Sequence, residues 1–459
     1  MIRNGDVSFW YADIGHPPRR PPLPGDRDAD VCIVGGGYTG LWTAYALLRE
    51  RPDLKVVVLE RAFAGYGASG RNGGWLSDHF SGSRERMAAA HGRDAVLALA
   101  RTMRETVDEV IAACERDGID ADVVKAGELK VARGPAQAAR LAALVAGDRA
   151  WGAGPDDLVE LDRDALAQRV RVAGATAGAW NAHCARVQPA KLVQGLAAAV
   201  ERLGATIHES TTVREVVPGA ARTDRGTVRA PFVLTCLEGF TATLAGRRRT
   251  WLPLNSAIVV TAPLPDAVWD EIGWASPAVL GDMAHAYVYA QRTADGRIAL
   301  GGRGVPYRFG SRTDVDGRTQ RATIAQLTRL LRELFPATAS VPVEHAWCGV
   351  LGVPRDWTPT VRLDRATGLG IAGGYVGNGV STSHLAGRTL ADLVLGRDTE
   401  RTRLPWVGRD ARRWEPEPLR WIGARLVYAL YRAADRRELA SGSARTHPLA
   451  RIADLVSGR

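Results

Sequence analysis

The chain has 459 residues, 46% of them hydrophobic, with 60 Lys and Arg against 50 Asp and Glu for a net charge of +10. That length predicts two interleaved domains with appendages, and no apolar run reaches the roughly eighteen residues of a membrane span. Only four of the basic residues are lysines, the arginines are interspersed with acids, and the densest cluster, Arg247–Arg249, is too short for a nucleic-acid footprint. The N-terminal residues lack the apolar stretch of a secretory signal. Cys32, Cys114, Cys184, Cys236 and Cys348 are scattered, which argues against a disulfide framework or zinc and for a reducing cytoplasm.

Residues 1–27 read as a proline-rich arm whose aromatic cluster, Phe9, Trp10 and Tyr11, packs on the body. Asp30 to Glu60 then reads as strand, glycine turn, helix, second strand and terminal acid. Gly35, Gly37 and Gly40 give G-x-G-x-x-G. Gly35 permits the tight turn, Gly37 lets a pyrophosphate approach the helix N-terminus, and Gly40 lets the helix pack on the sheet. Glu60 is placed to accept hydrogen bonds from ribose hydroxyls. A second glycine run follows in RAFAGYGASGRNGGW, residues 61–75. A nicotinamide dinucleotide does not need it. It suits a backbone running along an isoalloxazine ring and its ribityl chain.

Periodicity predicts a helix over 86–118, ended by Gly118, a strand hairpin at 123–134 around Gly127, and further helix over 135–170. A helix ended by Gly204 and a strand follow, then a buried strand at Phe232–Cys236. SAIVVTAPL, HAYVYAQRT and GRIALGG read as alternating strands, and a clear amphipathic helix ends at Pro336. The last sixty residues predict one helix from Pro416–Pro418, with Trp421, Ile422, Leu426, Val427, Leu430 and Tyr431 among arginines. Such a helix docks on the body or on a second subunit; the alternative is an interfacial helix on an anionic membrane.

In this order the segments resemble the D-amino-acid-oxidase-like superfamily of FAD-dependent oxidoreductases. The branch of amine oxidases related to gamma-glutamylputrescine oxidase, sarcosine oxidase and glycine oxidase is the most similar. The resemblance is carried by VGGGYTGLWTA at 34–44 and GYGASGRNGGW at 65–75. It is supported by the 186–213 segment, LPL at 252–254, DGRIALGGRG at 295–304, WCG at 347–349 and GGYVGNGVSTSHLAGR at 373–388. It implies an α/β fold: a Rossmann-like FAD-binding domain (28–85, 171–245 and 345–397) interleaved with an α+β, antiparallel-sheet substrate domain (86–170 and 246–344). The 1–27 arm and a 398–459 helical extension lie outside this core.

The resemblance also implies non-covalent FAD, a small-molecule amine or amino-acid substrate oxidised at C–N to an imine, and O2 as electron acceptor. The alternatives are a dehydrogenase of the same fold serving a quinone or carrier, and a flavin-binding scaffold with little turnover. No metal and no nucleic-acid partner are expected. Cofactor contacts are assigned to Gly35, Gly37, Tyr38, Thr39, Gly40, Glu60, Arg61, Ala68, Ser69, Arg71, Asn72, Gly73, Gly74, Val213, Gly377, Gly379 and Val380.

Flavin carries the redox chemistry, so no acid–base triad is expected; a low-polarity pocket would favour the neutral amine. The catalytic candidates are Asn378, Tyr289, Gln291 and Ser381. Ser381 stands where the sarcosine-oxidase branch has a lysine for the substrate carboxylate, so simple N-methyl amino acids are not expected. Relatives that attach FAD through cysteine carry it at the position of Gly349. Cys348 is one residue off and, in a strand, points the other way. His285, His345 and His384 stand near strand ends. Glu238 departs from the family's small neutral turn and reads as solvated.

Overall fold

Val31–Val34 and Val56–Leu59 are unbroken runs of buried aliphatic residues and cysteine, as strands covered on both faces must be. In the computed structural model, which describes residues 2–302, 307–313 and 316–458, they lie within a six-stranded sheet. Thr206–His208, Val56–Leu59, Val31–Val34, Phe232–Thr235 and Leu369–Gly373 run parallel in that order, and Thr360–Asp364 closes one edge antiparallel. The helix Gly379–Leu395 packs on the helix Tyr38–Glu50. Gly387 permits this approach, because a Cβ there would stand 2.8 Å from the Thr43 nitrogen.

The second sheet has nine strands. Leu252–Thr261 lies antiparallel between Val343–Val353 and Ile298–Gly302, and Val288–Arg292 and Val279–Asp282 follow. Val279–Asp282 then pairs in parallel with Glu128–Arg133, which leads to Ala175–Asn181 and Leu158–Leu161. One face buries Leu129, Val259, Leu280, Ala290, Leu300 and Cys348 in a core shared with the helix Arg321–Leu334. Alternation turns Lys130, Ser256, Gly281, Tyr289 and Gly349 to the other face, where they line a cavity. Arg303 and Gly304, which end the DGRIALGGRG segment, lie outside the described residues.

Several elements differ from the sequence reading. Gly92, at φ 85, divides the first long helical stretch into Arg84–His91 and Arg93–Asp117. The 123–134 segment is no hairpin: Glu128–Arg133 pairs with two distant strands, and Val124 only bridges Arg186. Helix over 135–170 stops at Ala150, before the W-G-A-G-P run, and is followed by the strand Leu158–Leu161 and the short helix Arg163–Ala167. The strands Ala175–Asn181 and Val343–Val353, assigned by sequence wholly or largely to the cofactor domain, pair in the nine-stranded sheet.

The C-terminal extension forms two helices, Leu419–Ser441 and Pro448–Ser457. The second was missed in the sequence reading. They dock through Val427, Tyr428, Tyr431, Ala434, Ala450 and Ala453, which share a core with Leu252, Leu254 and Val353. Ile422 and Leu426 remain 50% and 46% exposed, so only part of the expected apolar row is used. Among the described residues no helix is long and apolar enough to cross a membrane.

Candidate active site

At the C-terminal ends of the parallel strands lies a cavity of about 260 Å³. This is where open α/β sheets place their ligands. The glycine turn forms its floor. Gly35 has φ +113, a Cβ at Gly37 would stand 2.9 Å from Ser69 Oγ, and one at Gly40 would stand 2.0 Å from the Gly35 carbonyl oxygen. The helices Tyr38–Glu50 and Gly379–Leu395 both start here, and neither N-cap residue caps its own helix, although Tyr38 N donates to Ser69 Oγ at 2.8 Å. Two positive helix ends therefore face one cavity, the arrangement suited to a phosphate and to an electron-rich ring. Glu60 accepts N–H bonds from Gly36 (3.0 Å) and Ala62 (2.9 Å), which leaves acceptor capacity for a diol. Burial raises its pKa and these N–H groups pull it back. The donors, the acid and the glycine cradle fit FAD.

A second cavity, of about 640 Å³, adjoins the first. Both are lined by Ala68, Asn72, Leu351, Gly377 and Val380. Trp75, Phe80 and Tyr289 supply aromatic walls. The Tyr289 ring fills the space that glycine leaves at two positions, since a Cβ would approach it to 2.7 Å at Gly73 and 2.2 Å at Gly301. Its hydroxyl lies 2.8 Å from Ser256 Oγ, and Trp75 meets it edge to face at 6.0 Å.

The loop between the cavities is braced from behind. Four successive carbonyls each accept from a side chain: Gly70 from Ser8 Oγ (2.7 Å), Arg71 from Trp347 Nε1 (2.9 Å), Asn72 from Trp10 Nε1 (2.8 Å) and Gly73 from Gln291 Nε2 (2.7 Å). Arg71 is buried, donates to the carbonyls of Tyr66 and Cys348, and lies 4.3 Å over the Tyr66 ring. The N-terminal arm thus takes part in the site. Residues Arg3–Asn4 add an edge strand beside His345 and Ala346, and Arg20 pairs with Glu201 and the fully buried Glu209.

The second cavity is more charged than a low-polarity pocket would be. Glu128 lies 2.5 Å from His79 Nε2 and 2.7 Å from Lys130 Nζ. Burial works against its ionisation, but Lys130 and His79 hold Glu128 well below the usual carboxylate range. Burial and Lys130 disfavour the imidazolium, yet Glu128 and Asp78 outweigh them and raise His79. Arg84 pairs with Asp148 at 2.6 Å and Arg140 with Glu438 at 2.7 Å. Burial and Asp435 raise Asp282 to about 6, against the pull of the Val288 N–H.

The C-terminal helices grip the 283–287 turn. Asp435 accepts from His285 N (2.8 Å) and Ala286 N (3.0 Å), Tyr431 stacks on the His285 ring at 5.7 Å, and Arg140 holds the Met283 carbonyl at 2.9 Å. His285, Asp435 and Glu438 converge within 4.8 Å, but both carboxylates are engaged, by backbone N–H groups and by Arg140.

Of the residues assigned from sequence, Gly35, Gly37, Tyr38, Thr39, Glu60, Arg61, Ala68, Ser69, Asn72, Val213, Gly377, Gly379 and Val380 line the first cavity. Arg71, Gly73, Asn378 and Tyr289 line the second. Four do not line either. Gly40 seats the helix on the turn. A Cβ at Gly74 would lie 2.0 Å from Gln291 Nε2, so it makes room for that brace. Gln291 acts on the Gly73 carbonyl, and Ser381 is buried with its hydroxyl on the Ser77 carbonyl.

Among the three histidines, His285 reaches the second cavity. His345 is buried against the Gly5 carbonyl at 2.7 Å. His384 lies edge-on to Trp42, and burial lowers it to about 3. Glu238 is half-buried and not on the open surface: its carboxylate accepts from Gly374 N (3.1 Å) and Tyr375 N (3.0 Å) and faces the first cavity. Sequence reasoning missed this, together with the Ser8 and Trp10 braces and the His79–Glu128–Lys130 cluster. The i, i+2 spacing of Glu128 and Lys130 on a strand was the available signal for the cluster.

The comparisons with known proteins agree with this geometry. The chain is 31% identical over 382 residues to the gamma-glutamylputrescine oxidoreductase of Escherichia coli (strain K12), covering 81% of this chain and 84% of that protein. It is similar to the solved glycine oxidase of Geobacillus kaustophilus, with TM-score 0.66, 23% identity and coverage of 81% and 96%. L-proline dehydrogenase from P. horikoshii gives TM-score 0.69, 18% identity and coverage of 84% and 98%. These two structural likenesses speak for the fold. Residues 30–393 match the family described as DAO, FAD dependent oxidoreductase, and on that span the chain belongs to the DAO family of FAD-dependent oxidoreductases.

Proposed function

We propose that the protein oxidises a C–N bond of a primary or secondary amine or amino acid, using non-covalently bound FAD and passing the electrons to O2. The observation that carries this reading is the junction of the two cavities: a dinucleotide cradle opens directly into an aromatic pocket. The likeness to an oxidoreductase of gamma-glutamylputrescine supports the amine class. FAD, when bound, supplies the two-electron acceptor.

The chain binds, orients and shields. Trp75, Tyr289 and Phe80 wall the reacting region, and the uncapped start of the Gly379–Leu395 helix stabilises negative charge at the junction. Lys130, Glu128 and His79 form a paired cluster on one wall, which leaves the protonation of a substrate ammonium to its own pKa and to desolvation by the aromatic walls. Cys348 faces the core while Gly349 lines the cavity, which supports a non-covalent cofactor. Five free, buried thiols support a cytoplasmic setting.

Anaerobic mixing with amines tests the reading: the flavin absorbance should bleach, faster as pH rises and the ammonium deprotonates. In air, peroxide should form in step with the carbonyl product. Bleaching without peroxide would point to a carrier as acceptor. Bleaching by alcohols or 2-hydroxy acids and by no amine would overturn the amine assignment.

A further inference from the structure

The family match ends at residue 393, yet Tyr431 and Asp454, on the two C-terminal helices, line the second cavity. The helices are fixed there. Besides the grip of Asp435 on the 283–287 turn, the Ser457 carbonyl accepts from Arg355 Nη1 and from Trp357 Nε1, both at 2.9 Å. Tyr431 donates its hydroxyl to Asp454 at 2.7 Å.

Four basic side chains, Arg71, Arg84, Lys130 and Arg140, and four carboxylates, Glu128, Asp148, Asp282 and Asp454, line this cavity. Lys130, Arg84 and Arg140 each form an ion pair, and Arg71 is engaged with two carbonyls. Asp282 and Asp454 face the same cavity, and neither forms an ion pair among the described residues. Asp282 accepts the Val288 N–H at 2.9 Å, and Asp454 accepts the Tyr431 hydroxyl. A carboxylate has about four acceptor positions, so both keep capacity for a charged donor. The cavity volume of about 640 Å³ exceeds the needs of a glycine-sized amine, even with one edge given to a flavin ring.

We infer that the C-terminal helices are the outer wall of the substrate pocket and that Asp454, together with Asp282, receives a second, distal cation of the substrate. The preferred substrate is then an amine carrying a further ammonium or guanidinium group, such as a diamine. This rests on the amine-oxidation reading: one nitrogen is oxidised at the cavity junction and the other is held at the acidic end.

The test compares hexylamine with hexane-1,6-diamine on the intact flavoprotein, by anaerobic flavin reduction and by perturbation of the flavin spectrum. The diamine should show an apparent Kd at least about tenfold lower, the scale of one hydrogen bond to a charged group. Asp454→Asn and Asp282→Asn should each pull this ratio toward one. Damage to the fold or to the cofactor site would shift both probes alike and leave the ratio in place. A ratio near one in the unaltered protein, or a ratio that survives both substitutions, overturns the inference and leaves amine oxidation standing. If neither amine reduces the flavin but the diamine still binds more tightly through Asp454, the amine-oxidation reading falls and the cation site stands.

Discussion

The cofactor cavity is framed by glycine turns and two helix starts facing inward, whereas the adjoining cavity is walled by charged and aromatic side chains. The first gathers much of its lining from residues 34–72 and 375–383. The second draws from Ala68 to Asp454, including helices beyond the family span. A cavity framed by glycine turns tolerates many side-chain changes outside it but no added Cβ at its closest approaches. A cavity walled by side chains can change what it accepts while the cofactor stays in place.

Substitutions at four positions separate the two. Gly37→Val should have the largest effect, since even a Cβ would stand 2.9 Å from Ser69 Oγ and crowd the pyrophosphate approach. The purified protein should carry almost no flavin by absorbance. Full flavin content in this variant would break the comparison. Trp10→Ala tests whether the cofactor cavity is held from behind by the arm. It removes a buried indole and the donor to the Asn72 carbonyl, and should cost about 3–5 kcal/mol in stability by denaturant unfolding, with weakened FAD retention.

Asp435→Ala should spare FAD and strike the second cavity. Two N–H groups of the 283–287 turn lose their acceptor, a cost of about 1–3 kcal/mol, so kcat/KM should fall while flavin content holds. Loss of flavin together with activity would show that the two cavities are not separable.

Glu238→Gln concerns the acid within the cofactor cavity. Burial raises Glu238 from 4.5 to about 7, against the pull of the Gly374, Tyr375 and Gly352 N–H groups. The folded protein therefore holds this proton more tightly than the unfolded chain. That stabilisation is full below about 4.5 and is lost as pH rises through about 7. Glu238→Gln should flatten the decline of Tm over this window. An unchanged slope would assign the decline to other groups.

The same division governs what could be read from the sequence. A backbone cradle leaves its mark in glycine spacing, and Gly35, Gly37 and Gly40 were legible because few other turns need three glycines at those intervals. Alternation places Tyr289 and Gln291 on one face of their strand, but which face lines the pocket is set by the pairing of Val288–Arg292 with its neighbours and not by the strand's own sequence. Ser8, Trp10 and Trp347 were not legible, because a brace on a carbonyl needs only a donor at the right distance, and any of many residues could supply one. Lys130 and Glu128 lie in a segment that reads as a local hairpin, and only the parallel pairing of Glu128–Arg133 with Val279–Asp282 brings them to the pocket. Gln291 shares the strand face of Tyr289, but its reach ends at the Gly73 carbonyl. The final helix escaped notice because its start is marked by a histidine N-cap, His447, followed by Pro448, and not by the more common serine or aspartate.

The lining of the first cavity is complete once residue 383 has been made, while the second stays open until Tyr431 and Asp454 arrive. During synthesis on the ribosome the two cavities therefore mature at different moments. Contacts such as the stacking of Tyr431 on His285 close very large loops and form late. A nascent chain therefore holds every residue that lines its cofactor cavity before it has the outer wall of the neighbouring one.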